Sequence, residues 1–157
     1  MSKYWFFGLI VLYYTCKNSS ESAQIDWKSI ADIEKMRVAN TLDKPLMIDV
    51  YTDWCKWCKV MDKQTFPDPA VIAYINEHFY AVKFDAEQKE PVVLGGQSFA
   101  YQSNGRSGTN MLAYSLLQGE LSFPSIVYMS KDLKILRIAP GYKTPEQLMG
   151  EMQDIAR

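Results

Sequence analysis

Two cysteines three residues apart, Cys55 and Cys58, lie in the stretch PLMIDVYTDWCKWCKVMDKQTF, each directly preceded by a tryptophan, Trp54 and Trp57. Thiols at this spacing can hold a metal, form a permanent cross-link or exchange electrons. A structural zinc site takes about four ligands. The chain has 3 cysteines and 1 histidine. Of the remaining soft donors, Cys16 falls in an apolar N-terminal run and His78 late in an amphipathic segment, so no metal site is expected. A purely structural disulfide would close a very small loop and would remove little entropy from the unfolded chain. The redox reading explains more, because it uses the position of the pair. Cys55 falls where an apolar run ends and a helical pattern begins. The first turn of a helix has unpaired N–H groups and a partial positive charge, and both favour a thiolate. Pairs of this spacing can have the first thiol's pKa lowered to roughly 3.5–7.5. The second cysteine is one helical turn on, within reach of a mixed disulfide. Asp49 adds a further group, since a carboxylate inside an apolar strand should have a raised pKa and could serve as a general acid or base.

The elements that must position these groups are legible in outline. LMIDVY, from Leu46 to Tyr51, reads as a strand buried on both faces. Upstream, Ile30, Ile33, Met36 and Val38 recur at helical spacing after Ser29, a candidate N-cap, with Trp27 packing the start and Pro45 as the terminator. CKVMDKQTF opens a helix at the cysteines. DPAVIAYINEHF is a second helix, capped by Asp68 with Pro69 at its first position. YAVKFDA is the next strand. Residues 87–109 are rich in Gly, Ser, Gln and Asn and read as a long loop or insertion. NMLAYSLLQ restores helical spacing, SIVYMS and KILRIAP form a hairpin, and TPEQLMGEMQDIA is a final helix with a Thr144–Gln147 capping box. Tyr74, Phe79, Tyr80 and Phe84 are expected in the core. Alternating elements favour a central sheet with helices on both faces.

Bulk properties limit the rest. The chain has 157 residues, 48% of them hydrophobic, and a formal net charge of −1. It can build a packed core, and no basic stripe suggests nucleic acid as a partner. Lys3, an apolar run from Tyr4 to Tyr14 and a small polar stretch match an export signal, too short to span a bilayer comfortably. Residues 1–22 are therefore expected to be an export segment and residues 23–157 the folded domain. Cleavage after Ser22 and lipid attachment at Cys16, which would tether the protein to a membrane, are both open. Export would place the domain where disulfides persist.

DVYTDWCKWCK, followed at a distance by FPS, resembles the thioredoxin superfamily. It most resembles secreted bacterial thioredoxin-like proteins with a DWCxWCK centre. It is also similar to the C-terminal thioredoxin-like domain of the membrane-bound reductase that carries electrons into the periplasm. The resemblance covers roughly residues 26–86 and 119–157, and residues 87–118 depart from it as an insertion. It implies an α/β fold: a three-layer α/β/α sandwich with a central mixed sheet and the insertion placed before the strand that follows a cis-proline. It implies Cys55 as nucleophile and Cys58 as resolving thiol, with Asp49 exchanging a proton with Cys58 and Lys83 beside Asp49. Trp54 would pack beside the first cysteine. Pro124 would be cis and would bring the backbone of Phe123 to the pair, where an extended substrate segment could add to it. Trp57 departs from the Gly-Pro of plain thioredoxins, and residues between the cysteines help to set the potential. The implied partners are protein disulfides or dithiols and an upstream electron donor, with no cofactor. Reduction is the favoured direction, because Asp49, Lys59 and the DWC pattern resemble electron-donating relatives. Phe99, Tyr101 and Arg106 of the insertion either wall the site or pack among themselves. A thioredoxin-fold binding or chaperone module, and a redox sensor, are the alternatives.

Overall fold

The computed structural model describes residues 24–105 and 107–157; the expected export segment, Cys16 and Arg106 lie outside them. Among the described residues fourteen elements follow one another: β1 (Trp27–Lys28), α1 (Ile30–Val38), β2 (Leu46–Tyr51), α2 (Lys56–Gln64), α3 (Pro69–His78), β3 (Tyr80–Asp85), β4 (Val92–Leu94), β5 (Gln97–Phe99), β6 (Tyr101–Ser103), β7 (Gly108–Asn110), α4 (Met111–Leu116), β8 (Ser125–Met129), β9 (Ile135–Pro140) and α5 (Pro145–Ile155). The central sheet has the order β1-β3-β2-β8-β9. β1 and β2 run parallel to β3, while β8 is antiparallel to β2 and β9 antiparallel to β8. This is the mixed-sheet α/β arrangement that the resemblance implies.

Strand periodicity divides the core. Successive side chains of a strand point to opposite faces. Leu46, Ile48 and Val50 of β2 therefore join Ile30 and Ile33 of α1 and Leu112, Ala113 and Leu116 of α4 in one apolar layer. Met47 faces the other way, into a layer with Met61 of α2, Val71, Ile72 and Ile75 of α3, and Leu148 and Met152 of α5. The same alternation turns Asp49 towards the α2 side.

Several helix ends follow the expected chemistry. Ser29 and Thr144 each form a capping box, with Asp32 and Gln147 respectively, and Asp68 caps α3 ahead of Pro69. Helix α1, however, stops well before Pro45. Asn40 has φ 56°, and the N–H groups of Asn40 and Thr41 donate to the carbonyls of Arg37 and Met36, a closed helix end that an asparagine in the left-handed region permits. Val38, expected on the apolar face, is 71% exposed because it sits in that last turn.

Some further expectations need correction. Trp27 is not a helix-flanking anchor but part of β1, paired with Ala81. Its edge meets the ring of Phe66 at 5.1 Å. Residues 87–109, expected as a long loop or insertion, carry structure of their own. They form two small antiparallel ladders, β4–β5 and β6–β7. Leu94 and Phe99 anchor this insertion in the α1 layer. Glu34 of α1 clasps its first turn, accepting the N–H groups of Gly95 and Gly96 at 2.9 and 3.0 Å while Arg37 donates to the same carboxylate. Finally, Phe79 and Phe84 are buried as expected, but Tyr74 and Tyr80 are only half-buried, and the Tyr80 hydroxyl reaches out to Asp43.

Candidate redox site

Cys55 and Cys58 form a disulfide with their Cα atoms 5.4 Å apart. Cys55 is the N-cap of α2, and the backbone N–H of Cys58 donates to the Cys55 Sγ at 3.1 Å. The local sequence explains the placement. β2 ends at Tyr51, and Thr52 accepts the N–H of Cys55 in a tight turn that delivers the sulfur to the helix mouth. The unpaired N–H groups of the first turn then face an atom that becomes negative once the disulfide opens. Both cysteines are nearly buried, at 4% and 3% exposure, beneath two exposed rings: Trp54 at 66% and Trp57 at 56%. Trp54 meets Phe123 edge-on at 6.0 Å and donates its indole N–H to Glu87 at 3.0 Å. Trp57 leans on Tyr142 at 5.4 Å. The Phe123–Pro124 peptide bond is cis.

Behind the pair lies a charged cluster. The parallel register sets Asp49 opposite Lys83, so both project from the same face of the sheet. Asp49 Oδ2 accepts from the Lys83 ammonium at 3.1 Å, and Lys83 also donates to Asp62 of α2. Asp62 stands one helical turn past Cys58, so this ammonium joins the strand carboxylate to the helix that carries the cysteines. The rings of Trp27, Tyr51 and Phe66 surround it at 5.3, 5.1 and 5.2 Å. Asp49 Oδ1 and the Thr52 hydroxyl are buried without a hydrogen-bond partner among the described residues. Burial pushes the Asp49 carboxyl up to about 6, against the pull of Lys83 and with a further push from Asp62. Burial alone would lower Lys83, but Asp49 and Asp62 outweigh it and hold the ammonium above the usual lysine range. The cluster can thus hold or release a proton near neutral pH.

The structure brings Asp49, Lys83 and Asp62 together, sets Trp54 and Trp57 next to the cysteines in the chain, and places Phe123 against Trp54. The insertion residues separate: Phe99 packs into the core, whereas Tyr101 lines a cleft of about 850 Å³ shared with Trp54, Asp53, Asp85 and Glu87. In that cleft burial raises the Asp85 carboxyl; an N–H from Glu87 opposes this, and the Asp53 and Glu87 charges add to it. Asp62, Glu87 and Tyr142 were not anticipated. Only Asp62 left a signal, its i+4 spacing from Cys58 on a helix. Glu87 and Tyr142 reach the tryptophans through tertiary contacts alone. Among the described residues no group of three or more His, Cys, Asp or Glu side chains could hold a metal ion, and no helix is long and apolar enough to cross a membrane.

The Thioredox_DsbH family (protein of unknown function, DUF255) matches residues 14–153. The chain belongs to this family. It is 37% identical over 73 residues to the thiol:disulfide interchange protein DsbD of Vibrio vulnificus, a match that covers 42% of the chain and 12% of that protein. The chain thus corresponds to a small part of that relative's length. Among solved structures it is similar to a DsbH oxidoreductase, with a TM-score of 0.56 at 18% identity over 85% of each chain. It is also similar to a putative disulphide-isomerase from Bacteroides thetaiotaomicron, with a TM-score of 0.59 at 22% identity, covering 87% of this chain and 97% of the other. At these identities the structural likenesses establish the thioredoxin fold.

Proposed function

We propose that this protein is a thiol–disulfide oxidoreductase that reduces protein disulfides outside the cytoplasm. The observation that carries the reading is a vicinal cysteine pair at a helix N-terminus, with an N–H already on the Cys55 sulfur. The buried carboxyl at about 6 behind it supports the proton chemistry. In the reduced protein, Cys55 thiolate attacks one sulfur of a substrate disulfide. The S–S bond breaks, the other substrate sulfur leaves as a thiolate and takes up a proton, and a mixed disulfide remains. Cys58 then loses its proton to the Asp49 carboxylate, attacks the Cys55 sulfur and expels the second substrate thiolate. Two electrons pass to the substrate, and the protein is left as the disulfide seen in the structure. An upstream dithiol donor must return two electrons and two protons. Lys83 steadies the Asp49 carboxylate, while the Phe123–Pro124 backbone and the flanking tryptophans hold the substrate chain.

Residues 1–22 would serve as the export segment and 23–157 as the working domain, with Cys16 as the site for a lipid tether. The relation to a thiol:disulfide interchange protein supports the chemistry, and the expected export segment supports the location. The test is a pair of variants. Reduced Cys58→Ser, mixed with insulin in the absence of free reductant, should accumulate a mixed disulfide through Cys55, and Cys55→Ser supplied with dithiothreitol should lose turnover. Full turnover by Cys55→Ser would reject the mechanism.

A further inference from the structure

Trp57, between the cysteines, leans on Tyr142, which lies in the turn joining β9 to α5. Three sets of contacts fix that turn. The N–H of Gly141 donates to the Pro124 carbonyl at 2.8 Å. The hydroxyl of Thr65, buried at the C-cap of α2, donates to the Lys143 carbonyl at 2.6 Å. Lys143 folds its own side chain back over the turn. Its ammonium donates to the carbonyls of Pro140 at 2.6 Å and Gly141 at 3.0 Å, and lies 3.9 Å from Glu151 of α5. The Lys143 side chain is only 13% exposed. Burying a lysine is costly, and a plain connection does not need one. Here it stiffens the peptide that carries Tyr142, while the Gly141 N–H ties that peptide to the Pro124 bend and the Thr65 hydroxyl ties it to the helix of the cysteines.

Resting on the oxidoreductase reading, we propose that Tyr142 and Trp57 form a substrate-contacting wall, and that Lys143 is the positioning residue that holds it. The occupant is an apolar or aromatic side chain flanking the substrate cysteine in a polypeptide. A substrate joined through sulfur to Cys55 has its neighbouring residues only one or two Cα steps of ~3.8 Å away. They cannot avoid the ring set between the two cysteines. Tyrosine and tryptophan offer large contact areas at low entropic cost, the usual makeup of a residue that dominates binding. A small disulfide has no chain to lay against the wall. The wall therefore confers selectivity for polypeptide disulfides over low-molecular-weight ones.

The experiment compares kcat/KM for insulin and for bis(2-hydroxyethyl) disulfide, a small disulfide without aromatic rings, above the rate of dithiothreitol alone, in wild type, Tyr142→Ala, Lys143→Met and Lys143→Arg. The insulin-to-small-disulfide ratio should fall about tenfold in Tyr142→Ala and Lys143→Met, through KM for insulin. Lys143→Arg, which keeps N–H donors for the two carbonyls, should restore it. A wild-type ratio in Tyr142→Ala overturns the wall. A wild-type ratio in Lys143→Met overturns the positioning role; should that variant not fold, Lys143→Leu, which also lacks donors for the two carbonyls, replaces it. A wild type that reduces neither disulfide rejects the oxidoreductase reading itself, which is a different failure.

Discussion

Replacing Lys83 with methionine removes the cation held against the buried Asp49 carboxylate while keeping a long side chain among the three aromatic rings. Asp49 titrates at about 6 because burial raises it further than Lys83 lowers it. At the observed 3.1 Å, a pair of unit charges interacts by about 5 kcal/mol for an effective dielectric constant near 20. The ammonium is shared with Asp62, so only part of that reaches Asp49. Opposite charges at such range lower a carboxyl by about one to three pH units, and losing Lys83 should raise the Asp49 midpoint by that much. Asp62, left without its ammonium, adds to the rise. The assay is a carboxyl-carbon NMR titration of the oxidised protein, in which Cys55 and Cys58 are joined and do not titrate. The Asp49 signal is assigned by its loss in Asp49→Asn. An unchanged or lowered midpoint in Lys83→Met would refute the electrostatic account of the cluster.

Two further outcomes follow from the same charges. The Asp49 carboxyl titrates higher in the fold, at about 6, than its ordinary 3.8, so its contribution to stability is complete below about pH 4 and is lost as pH rises through about 6. Asp49→Asn should therefore be more stable than wild type at pH 8, by up to about 3 kcal/mol, and little changed at pH 4, as read by urea unfolding; equal effects at both pH values would contradict this. Glu34 behaves in the opposite sense. Its hydrogen bonds from Arg37, with help from the Gly95 and Gly96 N–H groups, hold it at about 2 against some burial, so the clasp is complete above about pH 4.5 and is lost as pH falls through about 2. Glu34→Ala should speed amide hydrogen exchange at Gly95 and Gly96, and unchanged protection there would show that the first insertion hairpin stays docked without it.

The parts of the fold that the sequence discloses are those set by neighbours in the chain. The Thr144-Pro145 start of α5, the Asp68-Pro69 start of α3 and the apolar run of β2 each carry their own local chemistry. Cys55 at the mouth of α2 is legible for the same reason, since a strand running into a helix leaves few other places for it. The insertion ladders are not legible. Their three-residue strands have weak patterns of their own and owe their place to Leu94, Phe99 and the distant Glu34. β1 exists because β3 offers an edge to Trp27 and Lys28. Asp49 shows itself as a carboxylate among apolar residues. Asp62 looks like any helix-surface acid until the register places Lys83 between the two.

The measurement that bears most directly on the Cys55–Cys58 pair is its redox equilibrium. The protein is brought to equilibrium in glutathione and dithiothreitol buffers of graded potential, and free thiols are counted by mass after alkylation. A reversible two-electron transition between about −120 and −270 mV, the span of catalytic thioredoxin-fold pairs, is the expected result, with the proposed reducing direction placing it near the lower end. A disulfide that resists reduction until below about −300 mV would mark a structural staple and would contradict the account.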